Sequence, residues 1–148
     1  MTRFANVHWH HIKPNRTDDM TNLLQHIQSK HGSIRAVVFD RFYAEEAYSF
    51  RIREQCPNAL RILDMQDVHS LRIGRQQLVK EIDQRENSNN MTTQLIDEVI
   101  KFDPSTHEWA QDLPQAKKAH NTLLRELTSI HRSDIVLVCS STEMKMLK

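Results

Sequence analysis

Glycine is almost missing from this chain. Only Gly32 and Gly74 occur in 148 residues, so neither a Gly-rich dinucleotide-binding turn nor a phosphate-cradling P-loop can be built. Cysteine is equally sparse. Cys56 and Cys139 lie far apart, the second inside an apolar run expected to form a buried strand. That usage suits reduced thiols of an intracellular, cytoplasmic domain better than a disulfide framework. Charge of one sign is lacking too: 20 basic and 19 acidic residues leave a formal charge of +1, without the field that draws a protein to nucleic acid or an anionic membrane. No apolar run approaches the roughly 18 residues of a membrane span, and the opening residues lack the apolar stretch of a signal peptide. The expectation is a chain with no nucleic-acid partner and no membrane span.

What is present is enough for one modest core, since 39% of the residues are hydrophobic and the length fits a single domain. Three short runs stand out: Ala36-Val-Val-Phe-Asp, Leu60-Arg-Ile-Leu-Asp and Ile135-Val-Leu-Val-Cys-Ser. Each is rich in branched apolar residues and ends on a polar one. Such runs, with no alternation, read as parallel strands buried on both faces. Helical patterns separate them, so the expected fold class is α/β, a Rossmann-like parallel sheet with helices on both faces. Sheets of this kind place their chemistry at the carboxyl ends of the strands. Asp40, Asp64, Asp67, His69, Ser140 and Ser141 are thereby candidates for one shared edge.

Residues 6–12 read as an additional first strand, stopped by Lys13-Pro14-Asn15. A helix should follow, with Met20, Leu23, Leu24 and Ile27 on one face, Thr17, Asp18 and Asp19 supplying capping oxygens, and Gly32 ending it. Ala44, Ala47, Tyr48, Ile52 and Cys56 form the next stripe, terminated by Pro57-Asn58. A longer helix is expected over 68–85 through Val68, Leu71, Leu78 and Ile82. The segment 86–113 breaks the rhythm with Asn87-Ser-Asn-Asn90 and two Asp/Pro-containing stretches around a short helix over 91–102, and reads as a mobile insertion. Beyond it Ala116, Ala119, Leu123, Leu124, Leu127 and Ile130 make a strong helical stripe. Ser140-Ser-Thr-Glu143 is a capping box opening a last helix.

Asp64-Met-Gln-Asp67-Val-His69 is the foremost candidate site, with two carboxylates and an imidazole where a strand gives way to a helix; a histidine there donates or accepts at neutral pH. The same pattern would also arise if Asp67 merely capped the helix and His69 met solvent in its first turn. Asp40-Arg41-Phe42-Tyr43-Ala44-Glu45-Glu46 occupies the equivalent place after the preceding strand. Its charges form a binding surface only if they converge with the first set, because Glu45 and Glu46 are favoured in a first helical turn in any case. His8 and His10 share a strand face, but no Cys or carboxylate stands at metal-site spacing beside them and no metal site is assigned.

The blocks Phe39-Asp-Arg-Phe-Tyr-Ala-Glu-Glu, Arg51-Ile-Arg-Glu-Gln-Cys-Pro-Asn-Ala-Leu-Arg-Ile-Leu-Asp-Met-Gln-Asp-Val-His-Ser-Leu-Arg and Arg125-Glu-Leu-Thr-Ser-Ile-His-Arg-Ser-Asp-Ile-Val-Leu-Val-Cys-Ser resemble the amino-terminal, acceptor-side domain of a GT-B-type glycosyltransferase of the group 1 kind. The resemblance runs over 34–147. It implies a catalytic role for His69 beside the transferred sugar and substrate-binding roles for Asp40, Arg41, Glu45, Asp64 and Asp67. It also implies a nucleotide-sugar donor in place of any bound cofactor, and an acceptor of unspecified kind. Ser140 and Glu143 match the family's strand-to-helix junction as structural residues. Family members begin with a further strand and a Gly-containing loop and continue into a donor-binding domain. The chain is accordingly expected to be an incomplete glycosyltransferase, inactive without a donor domain. The alternative is a non-catalytic binding or assembly module of the same fold, engaging a missing domain or forming a homo-oligomer.

Overall fold

The computed structural model of the chain describes residues 7–13, 16–85 and 114–147. The three apolar runs pair as parallel strands β1 (Ala36–Asp40), β2 (Leu60–Asp64) and β3 (Ile135–Leu137), in the order β1-β2-β3. Their register sets Ala36 beside Leu60 and Asp40 beside Asp64, while Asp64 faces Leu137 across the other side of β2. Five helices complete the described chain: α1 (Thr17–His31), α2 (Phe42–Gln55), α3 (His69–Arg85), α4 (Pro114–Arg132) and α5 (Ser141–Met146). The result is the expected α/β fold, a small Rossmann-like domain in which β1-α2-β2 is a complete crossover unit.

Alternation along each strand divides the sheet into two unlike faces. Phe39 and Leu63 lie on one, buried with Met20, Leu24, Ile52, Cys56, Met65, Val68 and Leu71 in a single core. The other carries Val38, Leu60, Ile135 and Leu137, exposed by 60%, 39%, 42% and 48%. Burial on both faces therefore fails among the described residues. The strand order gives the reason: both crossovers advance in the same direction, and right-handed connections then carry their helices to the same side.

Other expectations are corrected in detail. Residues 7–13 form no strand; Val7 and Ile12 are the only branched apolar side chains there, and Ile12 packs on the core while Trp9 stands in solvent. α1 begins after Arg16, with no side-chain cap, and Asp18 and Asp19 act instead through their charge in the first turn. It ends at Gly32, whose φ of 82° is open to glycine at little cost. β3 stops at Leu137, so Cys139 is exposed; Cys56 is buried, and both thiols are free. The expected insertion and its helix fall outside the described residues.

In α2 the buried stripe is Phe42, Glu45, Ser49 and Ile52, one step out of phase with the alanine stripe. A fully buried carboxylate tolerates that position because α4 delivers its partner. Arg132 donates through Nε and Nη2 to the two Glu45 oxygens at 2.8 and 2.5 Å. Burial pushes the Glu45 carboxyl up, but the hydrogen bonds and charge of Arg132 outweigh it and hold the group below its ordinary value. α4 buries Ala119 and Leu123 and packs Ile130 on the core as expected, but it also turns Thr122, Glu126 and Ser129 inward and leaves Leu124 exposed. At the base of β2, Asp134 accepts from Arg61 through its backbone amide at 2.8 Å and its guanidinium at 3.0 and 2.6 Å. Those bonds pull its carboxyl down to about 2.

Breaking the Glu45 pair from the arginine side should be costly. Arg132→Met leaves a buried carboxylate uncompensated and is expected to lower unfolding free energy in urea by about 3 to 5 kcal/mol, whereas Glu45→Leu with Arg132→Met together should come close to the native value. Both Glu45 and Asp134 have lowered folded-state values, so the unfolded chain binds more protons and stability falls on acidification. For Asp134 the window runs from its ordinary 3.8 down to about 2; Arg61→Ala should flatten the stability-versus-pH curve there.

Candidate functional site

The carboxyl ends of β1 and β2 are joined by side chains from the two loops that follow them. Gln66 donates through Nε2 to Asp40 Oδ1 at 2.7 Å and accepts at Oε1 from Arg41 Nη2 and Nε at 2.9 and 3.3 Å. Asp64 Oδ1 accepts from the Gln66 amide at 3.2 Å, and the Arg41 amide donates to the Asp64 carbonyl at 2.7 Å. Arg41 also reaches the Tyr43 hydroxyl at 3.2 Å.

Two of these residues adopt backbone conformations that side chains disfavour. Gln66 has φ of 57°, and Arg41 combines φ of 69° with ψ of 164°, a region that is nearly the preserve of glycine. The chain does place glycine at a positive φ elsewhere, at Gly32. Arginine at position 41 thus keeps a guanidinium on the rim at the expense of a relaxed turn, and strain of this sort gathers at functional sites.

Next to this network, His69 opens α3 and is 9% exposed. Its ring meets the edges of Phe42 and Tyr43, with centroids 5.5 and 6.2 Å away and planes near perpendicular. Nδ1 lies 3.1 Å from Asp67 Oδ1 and 3.3 Å from the Asp67 carbonyl oxygen. The other Asp67 oxygen meets Arg72 Nη1 at 3.1 Å. Phe42 is itself held from behind by Arg125, whose guanidinium stands 4.9 Å over the ring and is bonded in turn to Glu46 at 2.9 and 2.5 Å.

The first amides of α3 would be orphaned in the interior were they not taken up by carboxylates from distant helices. Glu126 of α4 accepts from the His69 amide at 2.6 Å and the Ser70 amide at 3.1 Å. Glu143 of α5 accepts from the Val68 amide at 3.2 Å. Asp67 is thus freed from capping and turns to His69 and Arg72. Burial raises the Glu126 carboxyl, and its bonds to Ser70 and His69 only partly offset this. The capping box at α5 is half formed: Ser140 Oγ accepts from the Glu143 amide at 3.1 Å, while Glu143 bonds Ser140 Oγ and Val68 and not its own cap amide.

No protein-family model, curated protein or solved structure matches the chain.

Its functional reading accordingly rests on geometry. Asp40, Arg41, Asp64, Asp67 and His69 share one edge of the sheet. Glu45 is elsewhere: it is buried beneath α4 and bonded to Arg132, away from the rim. His69 does not sit in solvent as a plain first-turn residue would. Ser140 accompanies the edge through Glu143, as a structural residue. The residues passed over are Gln66, Tyr43, Arg72 and Glu126. Only Glu126 left a trace in the pattern, since Ala119, Thr122, Leu123, Glu126 and Ser129 recur at helical spacing and place a carboxylate on an inward face. Among the described residues no three His, Cys, Asp or Glu side chains gather as a metal ion requires, and no helix is long and apolar enough to cross a membrane.

Two stability measurements probe this architecture. Arg41→Gly and Arg41→Ala lose the same guanidinium bonds, yet only glycine accepts the backbone conformation, so the glycine variant should be the more stable by about 1 to 3 kcal/mol. Glu126→Ala strips two buried amides of their acceptor and should cost about 2 to 4 kcal/mol, with faster hydrogen exchange at His69 and Ser70. Because the folded-state value of Glu126 is raised, its contribution weakens as pH rises above the ordinary 4.5. That sign is opposite to Glu45 and Asp134.

Proposed function

We propose that the chain is the acceptor-side part of a nucleotide-sugar-dependent glycosyltransferase, with the Asp40–Gln66–Arg41 network and His69 lining the place where the acceptor hydroxyl meets the transferred sugar. The observation that carries this reading is the strained Arg41 at the carboxyl edge of a parallel sheet, joined through Gln66 to Asp40 and set in the same edge as a nearly buried histidine. Ligands of open α/β sheets bind at that edge. Carboxylates, an amide and a guanidinium are the groups that hydrogen-bond sugar hydroxyls, and the Tyr43 and Phe42 rings beside them offer apolar faces. Sugar transfer requires a donor-binding domain facing this rim, where the charge released on the nucleotide diphosphate is stabilised. The chain by itself should bind and not turn over.

The test is an amide-resolved NMR titration with simple methyl glycosides and nucleotide sugars. Shifts confined to Asp40, Arg41, Gln66 and His69, weakened several-fold in Arg41→Gly, are expected. A rim untouched by every sugar would overturn the reading, and so would rapid sugar transfer by the isolated chain.

A second reading, a non-catalytic binding or assembly module, draws on the open face carrying Val38, Leu60, Ile135 and Leu137. Parallel sheets are normally covered on both sides. It predicts concentration-dependent association in sedimentation velocity that Leu137→Lys abolishes; a monomer at all concentrations would count against it.

A further inference from the structure

The environment of His69 bears on which of its nitrogens carries the proton. Both protein atoms within reach of Nδ1, Asp67 Oδ1 at 3.1 Å and the Asp67 carbonyl oxygen at 3.3 Å, are acceptors. A bare nitrogen lone pair there would face two oxygens and be repelled by both, so Nδ1 bears the hydrogen in the neutral imidazole. Nε2 is then the lone-pair nitrogen. No described residue bonds to it, and it is not among the buried polar atoms lacking a partner. The side chain keeps 11% of its surface open, the route by which a ligand can reach Nε2. Phe42 and Tyr43 pack against the ring, and the Asp67 carboxylate is itself pinned by Arg72.

We infer that Asp67 is a positioning residue: anchored by Arg72, it fixes His69 with the hydrogen on Nδ1 and presents Nε2 to the rim as an acceptor for a ligand hydroxyl. This adds a partner chemistry to the site, a hydroxyl group that donates, and gives Asp67 a role that is not direct substrate contact. Its meaning for catalysis rests on the sugar-transfer reading of the rim. As the acceptor oxygen bonds to the anomeric carbon, its proton passes to Nε2. The bond from that carbon to the diphosphate oxygen breaks and leaves its electron pair on the diphosphate. The imidazolium so formed faces the Asp67 carboxylate, which stabilises it. The tautomer itself does not depend on that reading.

The experiment is nitrogen-resolved NMR of the full chain at about pH 8, where an ordinary imidazole is neutral. In the wild type, Nδ1 of His69 should be protonated over Nε2 by about tenfold or more, the ratio expected of one charge-assisted hydrogen bond. In Asp67→Asn, Arg72 claims the amide oxygen, the amide nitrogen is left against Nδ1, and the population should move toward the Nε2–H form. Adding Arg72→Ala to Asp67→Asn frees the amide to turn its oxygen to the ring and should restore the wild-type tautomer. A wild-type His69 protonated on Nε2 overturns the inference without recourse to any variant, as does an unchanged ratio in a folded Asp67→Asn chain. Addition of methyl glycoside separates the two claims. If the Nδ1–H tautomer is found but no glycoside shifts Nε2, the sugar reading of the rim fails and the positioning role of Asp67 stands.

Discussion

The buried Glu126 carboxylate sets where α3 starts, and the rim follows from that. Helix starts need acceptors for their first amides, and in most sequences a neighbouring Ser, Thr, Asp or Asn provides them. Here the acceptor comes from α4, 57 residues along the chain for His69. Because α4 caps α3 from a distance, Asp67 is released from the capping task that its position suggests. It turns instead to His69 and Arg72. The histidine is held by its amide to one carboxylate and by its ring to another.

Charged groups in the interior and at its edge play the same part elsewhere. α4 contributes Glu126 to α3 and Arg132 to Glu45 of α2, while Arg125 stacks on Phe42 and bonds Glu46. These contacts are directional where apolar packing is not, so they fix how α4 lies on α2 and α3. Buried ion pairs add little net stability over well-packed apolar residues. Orientation is what they supply, and the orientation of α4 determines where His69 and Phe42 stand.

Scarcity of glycine leaves its mark at the other half of the rim. Arg41 accepts a backbone conformation suited to glycine, and the bonds of its amide to Asp64 and of its guanidinium to Gln66 hold it there. Two loops that are each unfavourable alone brace one another across the ends of adjacent strands. Such a pair is stiff, and a stiff, polar edge is the kind of surface on which ligand hydroxyl groups can be oriented.

Short branched runs ending on a polar residue, separated by helical spacing, determined by themselves that strands run parallel and that Asp40, Asp64, Asp67 and His69 meet at one edge. Local chain physics suffices for this, because strands alternating with helices pair in parallel and bring their carboxyl ends to one edge; the strand order, and with it the open face, came only from the tertiary structure. The apolar part of the α2 and α4 faces was legible, since Ile52, Cys56, Ala119 and Leu123 are buried as expected; the polar residues that share those faces were not. A helical face is read from apolar spacing, and here Glu45 and Glu126 take inward positions because their partners arrive from far along the chain. The same holds for the tautomer of His69 and the strain at Arg41, which depend on distances between loops. Periodicity reports which residues avoid water; tertiary structure alone decides which polar residues find partners that let them leave it.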